Sequence, residues 1–196
     1  MDRAKTIKAT IIMVLMVVLI VWYYSYLSSK NDAAASNKAL EEQTMAEMTA
    51  VGELLAKAEY KEYPSTPVQV VKYYNEITAC FYNEQYTDQQ LEKLADLASS
   101  LYDDELRANQ NSDTYLDNIR ADIKTFKSGN ITIYNSEVSS ATDVEYFEHN
   151  GYECARLYCL YTLKSGTNYQ PSKEVFILRK DTEGHWKIFG FDLVEE

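Results

Sequence analysis

The run from Ala9 to Leu27 carries no charge, no glycine and no proline. A helix rising ~1.5 Å per residue over that length covers about the ~30 Å hydrocarbon core of a bilayer. Trp22, Tyr23, Tyr24 and Tyr26 gather at its far end, where an aromatic belt sits at the membrane–water boundary. Arg3, Lys5 and Lys8 precede the run, and Lys30 is nearly alone after it. The positive-inside bias then puts residues 1–8 in the cytoplasm, 9–27 across the bilayer and everything after them outside. The competing reading is a cleaved signal peptide with Ala33, Ala34 and Ala35 at the cleavage region. Those alanines lie too far beyond the apolar run for that, and no cysteine follows it to carry a lipoprotein anchor.

The remainder suits one folded domain on a linker: 196 residues, 46% hydrophobic. The formal net charge is -11, with 30 acidic against 19 basic residues. An acidic surface repels a phosphate backbone, which excludes nucleic acid as an expected partner. It also disfavours lying flat on an anionic bilayer. Residues 28–63 read as a helical linker with an apolar stripe of Met48, Val51, Leu55 and Ala58, and Glu53 stands four residues before Lys57. It is either a stalk or a segment folded back on the domain. The stripe is too short to define a coiled coil.

The domain proper is expected over 64–196. Thr66, Pro67 and Gln69 open a helix to about Asn83, and Thr87 with Gln90 repeats the capping device for a second. A third covers roughly Thr114 to Lys127, with Gly129 as its left-handed cap. After Gly129 the apolar period changes from 3.6 to 2. Asn150-Gly151 predicts a hairpin that pairs Phe147 with Cys154, Tyr146 with Ala155 and Glu145 with Arg156. A last hairpin turns on Asp181 to Gly184. With a four-residue loop it puts Val175, Ile177, Trp186 and Ile188 on the helix side. Phe176, Leu178, Phe189, Phe191 and Leu193 then form an outer apolar patch, a candidate interface.

The predicted class is α+β: a transmembrane helix, a helical linker, then three helices on a curved, mainly antiparallel sheet of about five strands. That order, with the terminal KDTEGHWKIFGFDL, resembles the nuclear transport factor 2-like superfamily over about Pro64 to Glu196. The resemblance implies a cone between helices and sheet. It implies no single activity, because this fold carries isomerases, dehydratases, binding modules and assembly factors.

Chemistry is sparse. The two histidines, His149 and His185, fall beside turns, and no His-Asp pair is indicated. Asp103, Asp104, Glu105, Asp113 and Asp143 read as a solvated acidic surface. No zinc spacing, phosphate loop or nucleophile elbow occurs, and Asn109 to Arg120 lacks the Gly and Glu of a calcium loop. No cofactor or metal is expected. Cys80, Cys154 and Cys159 read as buried thiols. The expectation is a non-catalytic extracytoplasmic module in a bacterial envelope, self-associating or binding an envelope protein. The alternative is a small-molecule or isomerase-like site in the cone, lined by Tyr74, Tyr146, Tyr161 and Trp186.

Overall fold

The structure, a computed structural model, describes residues 49–110 and 112–194. The apolar run, its aromatic belt and Met48 lie outside those residues. Among the described residues no helix is long and apolar enough to cross a membrane.

The chain order is helices first, then strands. Helices α1 (Ala50–Ala58), α2 (Pro67–Asn83), α3 (Asp88–Ser100), α4 (Asp104–Asn109) and α5 (Ser112–Ser128) precede β1 (Ile131–Val138) and β2 (Glu145–His149). Strands β3 (Tyr152–Ser165), β4 (Asn168–Lys180) and β5 (Trp186–Leu193) complete an antiparallel sheet of order β1-β3-β4-β5. Strand β2 pairs with the first half of β3, on the same edge that takes β1 farther along.

The caps explain the helix starts. Thr87 and Gln90 form a full capping box, each side chain accepting from the other's backbone N–H at 3.2 and 3.0 Å. At α2 the Thr66 hydroxyl accepts from the Gln69 N–H, while the Gln69 amide oxygen accepts from Ser65 instead. The described end of the expected linker folds back on the domain: α1, capped by Thr49, buries Val51 and Leu54 against α2 and α3. Its Glu53–Lys57 pair, 4.0 Å apart and largely exposed, adds little. At the end of α5 the left-handed residue is Asn130 (φ 49°), not Gly129 as expected. Asn tolerates that region through its short polar side chain. Gly129 matters for space: a Cβ there would lie 3.0 Å from Ile131 Cδ1.

Helix α2 lies on one face of the sheet, against β1, β3 and β5, and that face holds the core. Leu157 and Cys159 of β3 and Phe176 and Leu178 of β4 are all fully buried there. Each of the leucines and Phe176 contributes about 1.5–3 kcal/mol relative to exposure. The Asn150-Gly151 hairpin has the predicted register, with φ of 52° and 80° at its turn. Arg156 Nη1 reaches Glu145 Oε2 across it at 3.1 Å.

The last hairpin differs from expectation. Its loop is one residue longer, because the Asp181 carboxylate accepts from the Glu183 and His185 N–H groups and the Asp181 N–H donates to His185 C=O. Lys180 therefore pairs with Trp186 and Leu178 with Ile188. A one-residue shift exchanges the faces. Phe176 and Leu178 are core, while Val175 and Ile177 are outer and half-buried. A bulge at Phe189 then places Gly190 opposite Ile177 and Phe191 opposite Phe176. Trp186, Ile188, Phe191 and Leu193 thus share the inner face, and of the proposed outer patch only Phe189 remains outside. The start of β5 is also covered at its edge: Ile188 N–H donates to Leu101 C=O and Asp103 N–H to Ile188 C=O, both at 2.8 Å.

Candidate functional site

Of the four residues expected to line a cone, three are sealed in the core. Tyr74, Tyr161 and Trp186 are buried, and Tyr146 is exposed on the β2 strand, its ring 5.8 Å from that of Trp186. Tyr74 sits among Tyr102, Phe176 and Phe191, with ring centroids 5.8–5.9 Å away. Its hydroxyl accepts from Tyr102 at 3.3 Å. The Tyr161 hydroxyl donates to Asn75 Oδ1 at 2.6 Å, and Asn75 Nδ2 donates to Cys159 Sγ at 3.2 Å. These groups answer one another, so the deep end of the expected cavity is a satisfied polar network inside the core.

The outer face of the sheet is different. A cleft of about 280 Å³ opens there between the β2–β3 hairpin and the β4–β5 hairpin. Phe147 and Tyr152 form one wall, Phe189 the other, and Ile177, Arg179 and Cys154 the floor. Arg179 organises it. Its guanidinium lies 4.5 Å from the Tyr152 ring centroid and 4.6 Å from that of Phe189. Nε donates to Asp103 Oδ2 at 2.9 Å, and Nη1 to Glu105 Oε1 at 2.9 Å. The Asp103 and Arg179 side chains are 6% and 13% exposed. Both carboxylates hold the guanidinium protonated even more firmly than usual. Asp103 also caps α4, its Oδ1 accepting from the Glu105 N–H. The sequence suggested a solvated acid at Asp103. The missed signal was Arg179 itself, a cation in the apolar stretch VFILRK that needed an anion nearby.

From this cleft an apolar band runs along the outer face. Register places Tyr158 beside Val175 and Arg156 beside Ile177, with Leu160 farther along. Leu160, Phe147 and Tyr152 are 42%, 37% and 42% exposed. Charges of both signs fringe the band: Glu137 and Lys173 flank Leu160, and Asp192 stands opposite Val175. Lys173 covers the Tyr158 ring at 4.7 Å.

The thiols and the buried phenols are held neutral, and the two histidines lie at turns. Burial raises Cys80 to about 11 and also pushes up Cys154 and Cys159, so no thiolate is ready as a nucleophile. Burial likewise lifts Tyr82 to about 12, and Tyr74, Tyr102, Tyr115 and Tyr161 well past the ordinary phenol range. His149 meets Asn150 at the hairpin turn, and His185 lies beside Asp181, Glu183 and the Tyr63 ring. Among the described residues no group of His, Cys, Asp and Glu is arranged to hold a metal.

Residues 1–191 match the model of a family described as Domain of unknown function (DUF6715). The chain belongs to that family. The match takes in the apolar run and the folded unit together, so the DUF6715 pattern spans both. No curated protein matches the DUF6715 chain.

Proposed function

We propose that the DUF6715 chain is a single-pass envelope protein, held in the bilayer by residues 9–27 with its folded unit outside the cytoplasm. In this reading the unit is a non-catalytic docking module of the nuclear transport factor 2-like kind, and its first partner is a second copy of itself. The outer sheet face carries the proposal: a band of half-exposed aromatic and aliphatic side chains ending in a cleft. The fringe of both charge signs suits a self-complementary contact, since a two-fold axis that sets one acidic position against a basic one forms that pair twice. The helix-then-sheet order and helices on one sheet face agree with the family resemblance. Neutral thiols and phenols favour recognition over nucleophilic chemistry.

The test is cross-linking of the full chain in native membranes, followed by sizing of the detergent-solubilised protein. A dimer band is expected, and Phe189→Asp should reduce it to monomer. Recovery of uncross-linked monomer alone from the wild-type membranes would remove the self-association reading.

A further inference from the structure

At the opposite end of the sheet, on the inner face, one acid stands without a partner. Glu174 pairs across β3 with Cys159 and across β5 with Leu193, so its carboxylate projects to the helix side. Among the described residues no hydrogen bond or ion pair reaches it. Asp103, Glu105, Glu145 and Glu153 each have a cation. The neighbouring lysine on its own strand, Lys173, points to the other face. Burial makes the Glu174 carboxyl hold its proton more tightly than usual.

The surroundings are aromatic. By register Tyr161, two residues along β3 from Cys159, and Phe191, two residues along β5 from Leu193, stand diagonally from Glu174 on the same face. The Tyr161 hydroxyl donates to Asn75, and the Tyr74 hydroxyl accepts from Tyr102. Phe191 packs on Tyr74 and Phe176 yet stays 41% exposed, and Leu193 is 61% exposed. This end of the inner face is therefore an uncovered apolar and aromatic wall around an unpaired carboxylate.

The geometry points to a binding site here for a small organic cation, an alkylammonium or quaternary ammonium group. Each part selects for that chemistry. The carboxylate supplies the counter-charge that the protein itself does not neutralise. The half-exposed Phe191 ring attracts a cation through its quadrupole, and the exposed Leu193 beside it accepts alkyl groups. An anion meets repulsion from Glu174 and from a chain of net charge -11. The same field raises the local concentration of cations. The site lies on the face opposite the proposed docking band and stands independently of it.

Saturation-transfer NMR on the full chain in non-ionic detergent tests this, with n-butylammonium and tetramethylammonium as probes and n-butanol and butyrate as controls. Both cations should show saturable binding, and neither control should. Glu174→Gln should weaken cation binding by about tenfold or more, as loss of a charged partner does. Leu193→Lys, at an exposed position, should abolish it by placing a fixed cation at the mouth, and it keeps the test available if the Gln variant fails to fold. Phe189→Asp should leave cation binding unchanged. Equal binding of n-butanol and n-butylammonium, or cation binding that survives both inner-face variants, would overturn the assignment.

Discussion

Asp103→Asn isolates the charge that holds Arg179. Asparagine keeps the shape and remains a good N-cap, so the start of α4 and the backbone bond to Ile188 should survive. What disappears is the negative charge beside a guanidinium whose side chain is 13% exposed, from an acid that is itself 6% exposed. Glu105 stays, but at 62% exposure it compensates weakly. Leaving one member of a buried pair uncompensated costs about 3–5 kcal/mol, and the remaining carboxylate puts the expectation near the bottom of that range. At about 2–4 °C per kcal/mol for a chain of this size, ~3 kcal/mol lowers the melting temperature by roughly 6–12 °C. The assay is a far-ultraviolet circular dichroism melt of the full chain in detergent. Arg179→Met and the double variant complete a cycle: if the two groups act as a pair, the double variant is no less stable than the worse single variant. A shift below about 2 °C for Asp103→Asn, or single effects that simply add, would refute the pairing argument.

Three further outcomes follow from local geometry. Asn130→Ala puts an ordinary side chain at φ 49° and should cost about 1–2 kcal/mol in a denaturant melt, while Asn130→Gly stays near neutral. Tyr161→Phe strands the Asn75 amide oxygen in the core and should cost about 1–3 kcal/mol by the same measurement. Glu174 has a folded-state pKa above its unfolded one, so its stabilising contribution is complete below the ordinary glutamate range and is lost as pH rises through the folded value. Glu174→Gln should therefore gain stability relative to wild type as pH rises over that window, and a difference that is flat with pH would contradict the shift.

Local signals with a single structural solution were legible in the sequence. Asn150-Gly151 admits one tight turn, so the β2–β3 register and the Glu145–Arg156 pair could be written down in advance. The Thr87–Gln90 box fixed the start of α3 in the same way. The last hairpin was not legible, because its loop length depends on how the Asp181 carboxylate folds the turn around itself. One residue of loop exchanged the faces of β4, and the bulge at Phe189 returned Phe191 to the core side. The partnership of Asp103 with Arg179 joins positions far apart in the chain, and periodicity carries no information about such pairs. The α4 helix was missed with it, since its acidic first turn reads as a solvated connection.

The irregularity of β5 also bears on whether another chain can add to this border of the sheet. It is a terminal strand, and a terminal strand invites another chain to extend the sheet in a ribbon. Here the early part of that border is already occupied by Leu101 and Asp103, and the residue that follows is displaced out of the ladder at Phe189. An incoming strand finds neither free bonding groups at the start nor an even spacing beyond. Edgewise polymerisation is blocked by the same residue that raises an aromatic ring on the flat of the sheet. For the self-association proposed above, this leaves the flat of the sheet rather than this border to receive a second copy.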